Sequence, residues 1–436
     1  MKEHLQNILA EFATRTLARY RPTVIGITGS VGKTSTKEMV YSMLRWKFRV
    51  RKSEGNFNNE IGVPLTILGC AHYGKNVFSW CFGLFKAVWY LIRTDHMYPE
   101  ILILEMGADH PGDIEYLARL ASPHIAVITA IGEIPVHVEF FAGPEEVAKE
   151  KKKLIQALPP DGLAVINADD DALTNGSVSG SAERRTFGFD EHADARILSV
   201  GYAADSTGTG EIPEGSIVRI RMNDKELEIK LRGAFGKPSA YAAAAGCLVG
   251  ARFGLSTEEM VTALGSYTPP SGRMRLIKGV KETWLIDDTY NSSPAALHEA
   301  LDVLRALPGK RKVAVIGDML ELGEYTESAH RAAGDQIGQF ADMLIAVGPR
   351  ARFIAEETMA GGLENTRTLK KENIHTFRTA EEAGRFLDPL LQRGDLVLVK
   401  GSQAMRMERA VIEIMREPER AGELLVRQSA YWRKKR

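Results

Sequence analysis

The chain has 436 residues, a length that predicts two to three domains with ample cores. Lys+Arg and Asp+Glu both number 56, so the net charge is zero and nothing global points to a nucleic-acid partner. Cys70, Cys81 and Cys247 lack metal-ligand spacing and read as reduced core residues, and the polar, charged N-terminus predicts no signal peptide; both suit a cytoplasmic protein.

Residues 3–20 place Leu5, Ile8, Leu9, Phe12 and Leu17 at helical spacing, which predicts one amphipathic helix ahead of the first strand. The stretch VIGITGSVGKTSTKEMV, Val24 to Val40, then gives a short apolar strand, a turn through Gly29 and Gly32, and a helical pattern from Lys33. That order is the context of a phosphate-binding loop, because amides at a helix start face an anion and glycines let the backbone approach it. On this reading Thr28, Gly29, Ser30, Gly32 and Ser35 belong to the cradle for ATP. Lys33 reaches the β/γ-phosphates and the Thr34 hydroxyl holds Mg²⁺. The general motif wants Gly where Ile27 stands, so T-G-x-x-G-K-T is a narrower variant. The plain alternative is a glycine turn, an exposed lysine and a Ser/Thr helix cap.

EGNFNNEIGVPLT, Glu54 to Thr66, is a polar loop in which Asn58 and Asn59 either orient a substrate or serve a turn-rich connector. Residues 77–92 form the most apolar window, interrupted by Lys86 and shorter than the roughly 20 residues of a membrane span. The window predicts a buried or partner-facing helix, with a peripheral helix touching lipid as the second reading. ILILEMGAD is a second buried strand whose end carries Glu105, the position of a Walker-B-type Mg²⁺ ligand. HIAVITAIG is a third strand, and His137 follows it near the sheet edge where ligands bind. Lone histidines are usually structural, but this placement points to function. Pro144 starts a helix with Glu145 and Glu146 in its first turn, and its Lys149–Lys153 run reads on residues alone as a solvated face.

GLAVINADD gives a fourth strand. Residues 180–232 then turn into short alternating runs with glycine turns, an antiparallel appendage on the α/β core. An Ala-rich, close-packed helix follows, and TPPSGRMRLI marks the domain junction. Beyond it WLIDDTY, KVAVIGDM, MLIAVG and DLVLVKGS alternate with helical stretches, a second βαβ array. Residues 417–436 predict a charged amphipathic helix. The fold class is thus α/β: a P-loop central domain with a parallel sheet and a small antiparallel appendage, then a Rossmann-like C-terminal domain. The boundaries are a helical arm at 1–21, the central domain at 22–270 and the C-terminal domain at 271–436.

The strings TGSVGKTST, GNFNNEIGVPLT, LEMGADHPGDI, the His137–Lys151 segment, NADD, GRM, IDDTYNSSP, GDMLELGEY with His330, and VLVKGS run in order through nearly the whole chain. In that series the sequence resembles the Mur ligase family, and TYNSSP and GDMLELGEY resemble its dipeptide-adding branch. The resemblance implies an ATP-dependent amide-bond former. A muropeptide-like carboxylate becomes an acyl phosphate, and a D-alanyl-D-alanine-like amine attacks it. It also implies two Mg²⁺ ions, the first on Thr34 and Glu105 and the second bound with the help of His137 and of Lys151 as an anionic carbamate. Lys151 would be carbamylated, Arg273 would reach the γ-phosphate across the junction, and Lys33, His137, Lys151 and Arg273 would form the catalytic set. Asp288 would meet the ribose, Tyr290 and Asn291 would lie near the nucleotide, and Lys400 and Ser402 would position the amine.

Two departures stand out. Members of this type carry an N-terminal UDP-sugar-binding domain, whereas about twenty residues precede the first strand here, and the apolar 77–92 helix is a candidate replacement. The base-side motif G-K-H-N reads Gly236-Lys237-Pro238-Ser239, so contacts to the base must differ. The competing expectations are a Mur-type ligase for another acceptor, such as a γ-glutamyl chain or a lipid-linked substrate, and a nucleotide-binding subunit that needs a partner.

Overall fold

A computed structural model describes residues 2–55, 57–70, 88–92, 95–174, 182–203, 214–360 and 369–434. The first sheet begins with β1 (Thr23–Thr28), β2 (Val50–Lys52), β3 (Ile101–Glu105), β4 (Ile125–Ile128), β5 (Leu163–Asn167) and β6 (Glu183–Gly188). It ends with β7 (Ala195–Ala203), β8 (Gly215–Met222) and β9 (Lys225–Arg232). Its order is β2-β3-β1-β4-β5-β6-β7-β8-β9, parallel through β7 and antiparallel for the last three strands. β1, β3, β4 and β5 are apolar nearly throughout because helices cover both faces of the sheet, which leaves no solvated side to ask for alternation.

Register positions the chemistry. β1 lies between β3 and β4, with Ile27 opposite Glu105 and Thr28 opposite Ile128. The carboxylate at the end of β3 therefore stands beside the turn that leaves β1. On one face the helix Gly236–Arg252 packs on the helix Lys33–Leu44. The approach is close because of Gly246, where a Cβ would lie 2.5 Å from Met43 Cε. The other face is covered by helices Lys2–Tyr20, Gly62–Leu68, Asp113–Ala121 and Pro144–Gln156, with Ala13, Ile67, Leu117 and Leu154 in a single core.

The second sheet contains β10 (Arg275–Lys278), β11 (Trp284–Asp288), β12 (Arg311–Gly317), β13 (Met343–Val347), β14 (Ile374–Phe377) and β15 (Asp395–Lys400). Its order is β10-β11-β15-β12-β13-β14, parallel except for the β10–β11 pair. The two lobes share apolar packing. Phe235, just before the helix Gly236–Arg252, is fully buried in the core of the second lobe with Leu297, Leu301 and Leu304. Burying such a ring contributes about 1.5–3 kcal/mol. Gly236 has φ 75°, and a Cβ there would meet Val303 Cγ2 at 2.4 Å, so the helix Pro294–Ala306 sits directly on this turn.

The α/β class holds, with three differences of detail. β6 falls inside the expected antiparallel appendage but pairs parallel with β5 over five residues, so the appendage is three strands continuing the same sheet. The junction stretch contains β10, and β14 joins the far edge; both are only four residues long, too short to give a periodic signal. Residues 417–434 are broken helical turns rather than one helix, because Arg427, at φ 59°, donates to Thr289 O and Tyr290 O and pins the chain. Most of the apolar 77–92 window and Cys81 lie outside the described residues. Cys70 and Cys247 are buried. Among the described residues no helix is long and apolar enough to cross a membrane.

Candidate active site

The turn from β1 to the helix Lys33–Leu44 is fixed by backbone conformation. Gly29 has φ 145°, and a Cβ there would fall 2.1 Å from Thr129 Oγ1; Gly32 has φ 88°. The Ser30 and Val31 amides donate to Ala130 O, and the Thr129 hydroxyl donates to Val31 O, so the loop is strapped to the end of β4. Lys33 folds back, donating to Gly29 O at 2.6 Å. Burial lowers its pKa, Glu105 opposes that effect, and Arg273 adds to it.

Glu105 is almost wholly buried, and the Thr34 hydroxyl donates to its carboxylate at 3.2 Å. Lys37, one helical turn after Lys33 and equally buried, places its ammonium 3.3 Å from the same carboxylate. Burial alone would raise the Glu105 pKa, but Lys37, Lys33 and Arg273 together hold it below the ordinary carboxylate value. Thr34 also accepts from Arg273 Nη2 at 3.2 Å, and the Arg273 guanidinium stacks 4.0 Å over the Tyr290 ring. The arginine of GRM thus crosses from the second lobe to the phosphate loop.

A cavity of about 550 Å³ opens between the lobes. Ser30, Lys33, Glu105 and His137 line it from one side, and Arg273 and Tyr290 from the other. Asn58, Asn59, Asn291 and Ser402 also reach it. Asn59 Oδ1 caps the next helix by accepting from Ile61 N and Gly62 N, while the Asn58 backbone carbonyl accepts from Gly107 N. Ser402 Oγ accepts from Leu320 N, and Asn291 Oδ1 accepts from Ser292 N and Gln403 N.

His137 sits in the left-handed region, nine residues beyond β4, with Nδ1 2.7 Å from Glu321 and Nε2 3.4 Å from Asp109. Glu321 belongs to the second lobe, so this histidine is a further bridge between lobes. Its loop is anchored by His330, whose Nε2 accepts from Met319 N. Of the lysine run, Lys149 and Lys153 reach solvent, whereas the Lys151 side chain is 1% exposed. Burial, reinforced by the like charge of Lys33, brings the Lys151 pKa down to about 7.

Asp288 and Lys400 lie on the other side of Arg273, along a smaller cavity with Thr34 and Ser35. Lys400 Nζ is buried and bonds Asp288 at 2.6 Å and Asn291 O at 2.9 Å, and Asp288 also accepts from Met274 N. Both groups therefore brace the junction, and Lys400 faces the phosphate-loop side rather than the wide cleft. Sequence reasoning missed Lys37, Glu321 and Glu150. Glu150 caps the helix Asp113–Ala121 by accepting from Ile114 N and Glu115 N. Only Lys37 had a readable signal, the i+4 spacing from Lys33.

Comparison with known proteins bears on the whole chain. The pattern of the Mur ligase middle domain matches residues 27–78 and 89–248, and that of the Mur ligase glutamate ligase domain matches 272–403. The chain belongs to the Mur ligase family. It is 31% identical over 412 residues to the UDP-N-acetylmuramoyl-tripeptide–D-alanyl-D-alanine ligase of Bacillus subtilis, covering 94% of this chain and 79% of that one. The enzyme of the same name from Escherichia coli is 29% identical, with 89% and 76% covered. Among solved structures, MurF of Thermotoga maritima in complex with ADP superposes with a TM-score of 0.76 at 29% identity, covering 95% of this chain and 84% of that one. MurF of Acinetobacter baumannii gives 0.74 at 26%, covering 92% and 79%.

Proposed function

We propose that this chain is an ATP-dependent amide ligase that joins a D-alanyl-D-alanine-type amine to the peptide carboxylate of a muramoyl-peptide substrate. The observation that carries the reading is the meeting of phosphate loop, Glu105, His137 and Arg273 in one cleft between two lobes. We take those lobes as domains 22–270 and 271–436, with 1–21 as an arm. The residues suit ATP: Thr28 Oγ1, Ser30 Oγ and Arg273 Nε are buried without partners around the glycine turn, three hydrogen-bonding groups left for a polyphosphate. They also suit Mg²⁺. Among the described residues no three His, Cys, Asp or Glu side chains gather to hold a metal unaided. Thr34 and Glu105 supply hard oxygen ligands of the kind that share this ion with substrate phosphates. Magnesium held there neutralises charge on the transferring phosphoryl group.

In this reading a substrate carboxylate oxygen attacks the γ-phosphorus and ADP leaves. The amine nitrogen then attacks the acyl carbon, inorganic phosphate leaves, and one N–H proton is released. Lys33 swings from Gly29 O to the phosphates, and Arg273, held flat on Tyr290, stabilises charge that builds in transfer. Lys37 holds Glu105 ionised. At a pKa of about 7 a large share of Lys151 is the neutral amine at neutral pH. That is the form able to add CO2, losing a proton to become an anionic carbamate. His137 faces the acyl-transfer side, with Ser402, Asn58 and Asn59 as candidate contacts for the acyl and amine substrates.

The test is to incubate the chain with Mg-ATP, a UDP-muramoyl tripeptide and D-alanyl-D-alanine. Phosphate release and the pentapeptide product are followed together. Phosphate should appear only when both substrates are present, in step with product; ATP hydrolysis indifferent to the amine, with no new amide, refutes the reading.

A further inference from the structure

Two small cavities flank the phosphate loop on the side away from the wide cleft, and Val31, Gly32, Pro238 and Glu299 line both. Their outer walls are apolar, with Ala300 and Val303 in one and Phe187 and Ala242 in the other. The same cavity that holds Ala300 and Val303 contains Thr34, Asp288 and Lys400, so it adjoins the phosphate loop and is where we seat the base of a bound nucleotide. Pro238 and Ser239 bring no ring or amide able to read a base. The Ser239 hydroxyl donates back to Phe235 O at 3.0 Å, and the Tyr241 hydroxyl donates to Asp169 at 2.9 Å, so both protons are committed.

Glu299 differs from these neighbours. It projects from the helix Pro294–Ala306, is partly buried, and its carboxylate has no hydrogen bond or ion pair among the described residues. Burial raises its pKa, Lys237 opposes this from a distance with its ammonium over the Phe189 ring, and the Asp302 carboxylate adds to the rise. An ionised carboxylate only accepts, so whatever satisfies Glu299 must bring an N–H donor. At position 6 adenine offers an amino group where hypoxanthine and guanine carry O6, which would set one acceptor against another at that atom; their nearest donor is the neighbouring N1–H.

We propose that Glu299 is the base-reading residue of this ligase, accepting a hydrogen bond from the 6-amino group of ATP where Pro238 and Ser239 supply none. The inference rests on the ATP-ligase reading and deepens it. Leaving a carboxylate against a carbonyl oxygen costs more than losing a bond, so discrimination falls mainly on the wrong base.

The experiment measures dissociation constants of Mg-ATP and Mg-ITP for the full chain by calorimetry. Wild type should favour ATP by about tenfold or more. Glu299→Ala should bring the two constants within about twofold of each other, chiefly by strengthening ITP as the acceptor facing O6 is removed. Glu299→Gln, with the same shape and an amide N–H, should strengthen ITP. Equal affinity in the wild type, or an unchanged ATP-to-ITP ratio in both variants with ATP still bound, overturns the base-reading role alone. A wild-type chain that binds neither nucleotide overturns the ligase reading with it.

Discussion

Lys151 is a cation removed from water with no bonded carboxylate to compensate. Its folded pKa of about 7 lies below the 10.5 of the exposed side chain. Between those values the unfolded chain holds a proton that the folded chain lacks, so stability rises with pH across the window. The penalty is fully present below pH 7 and amounts to on the order of 4–5 kcal/mol. Lys151→Met should therefore raise the melting temperature most at pH 6–7, with the gain vanishing above about pH 10.5; a gain that does not vary with pH contradicts this. In the ligase assay Lys151→Ala should lose activity and recover part of it with added formate or acetate. Arg273→Lys should reduce kcat by about 10²–10³, since a lysine loses both the stack on Tyr290 and the planar fork that reaches Thr34. At this scale much was legible. Lys33, Glu105 and His137 lie in strings whose local order marked them as candidates, and they line one cleft, while Thr34 bonds Glu105 from the adjoining smaller cavity. Glu299 and Glu321 were not legible, because each gains meaning from a surface more than 60 residues away in sequence.

Elements explain why only one lysine of the run faces inward. On the helix Pro144–Gln156, Glu150 is buried and its carboxylate receives the Ile114 and Glu115 amides, which are free donors at the start of another helix. That anchor fixes the rotation of the helix, so the next residue, Lys151, turns toward Lys33 and Asp109 while Lys149 stays in solvent. Glu150→Ala should cost about 1–3 kcal/mol in urea unfolding. It should also lower kcat more than it changes the KM for ATP; an effect on stability alone would leave the positioning argument without support. Apolar runs with clear punctuation, such as β1, β3, β12 and β15, were predictable. β10 and β14 were not, since a four-residue strand is specified by its neighbours in the sheet rather than by its own pattern. The parallel pairing of β6 was hidden for the same reason: three of its six residues are exposed, and its direction is set by β5.

At the scale of the molecule, two polar bridges among the described residues close the cleft: Arg273 to Thr34, and Glu321 to His137. The second is partly solvated, so it is worth at most about 1 kcal/mol, and it weakens with salt when the imidazole carries its second proton. Glu321→Ala, or about 0.5 M NaCl, should increase the radius of gyration of the nucleotide-free chain in small-angle scattering, and Mg-ATP should reverse the increase. No change in any of the three conditions would mean that the apolar contact of Phe235 and Gly236 with the helix Pro294–Ala306 sets the angle by itself. The strapping of the glycine turn to Thr129 and Ala130 has a consequence for speed. A socket whose walls are already set asks little ordering of an incoming triphosphate, so capture should be quick and depend weakly on temperature. The slow event is then left to Lys33, a single side chain that must release Gly29 before it grips its guest.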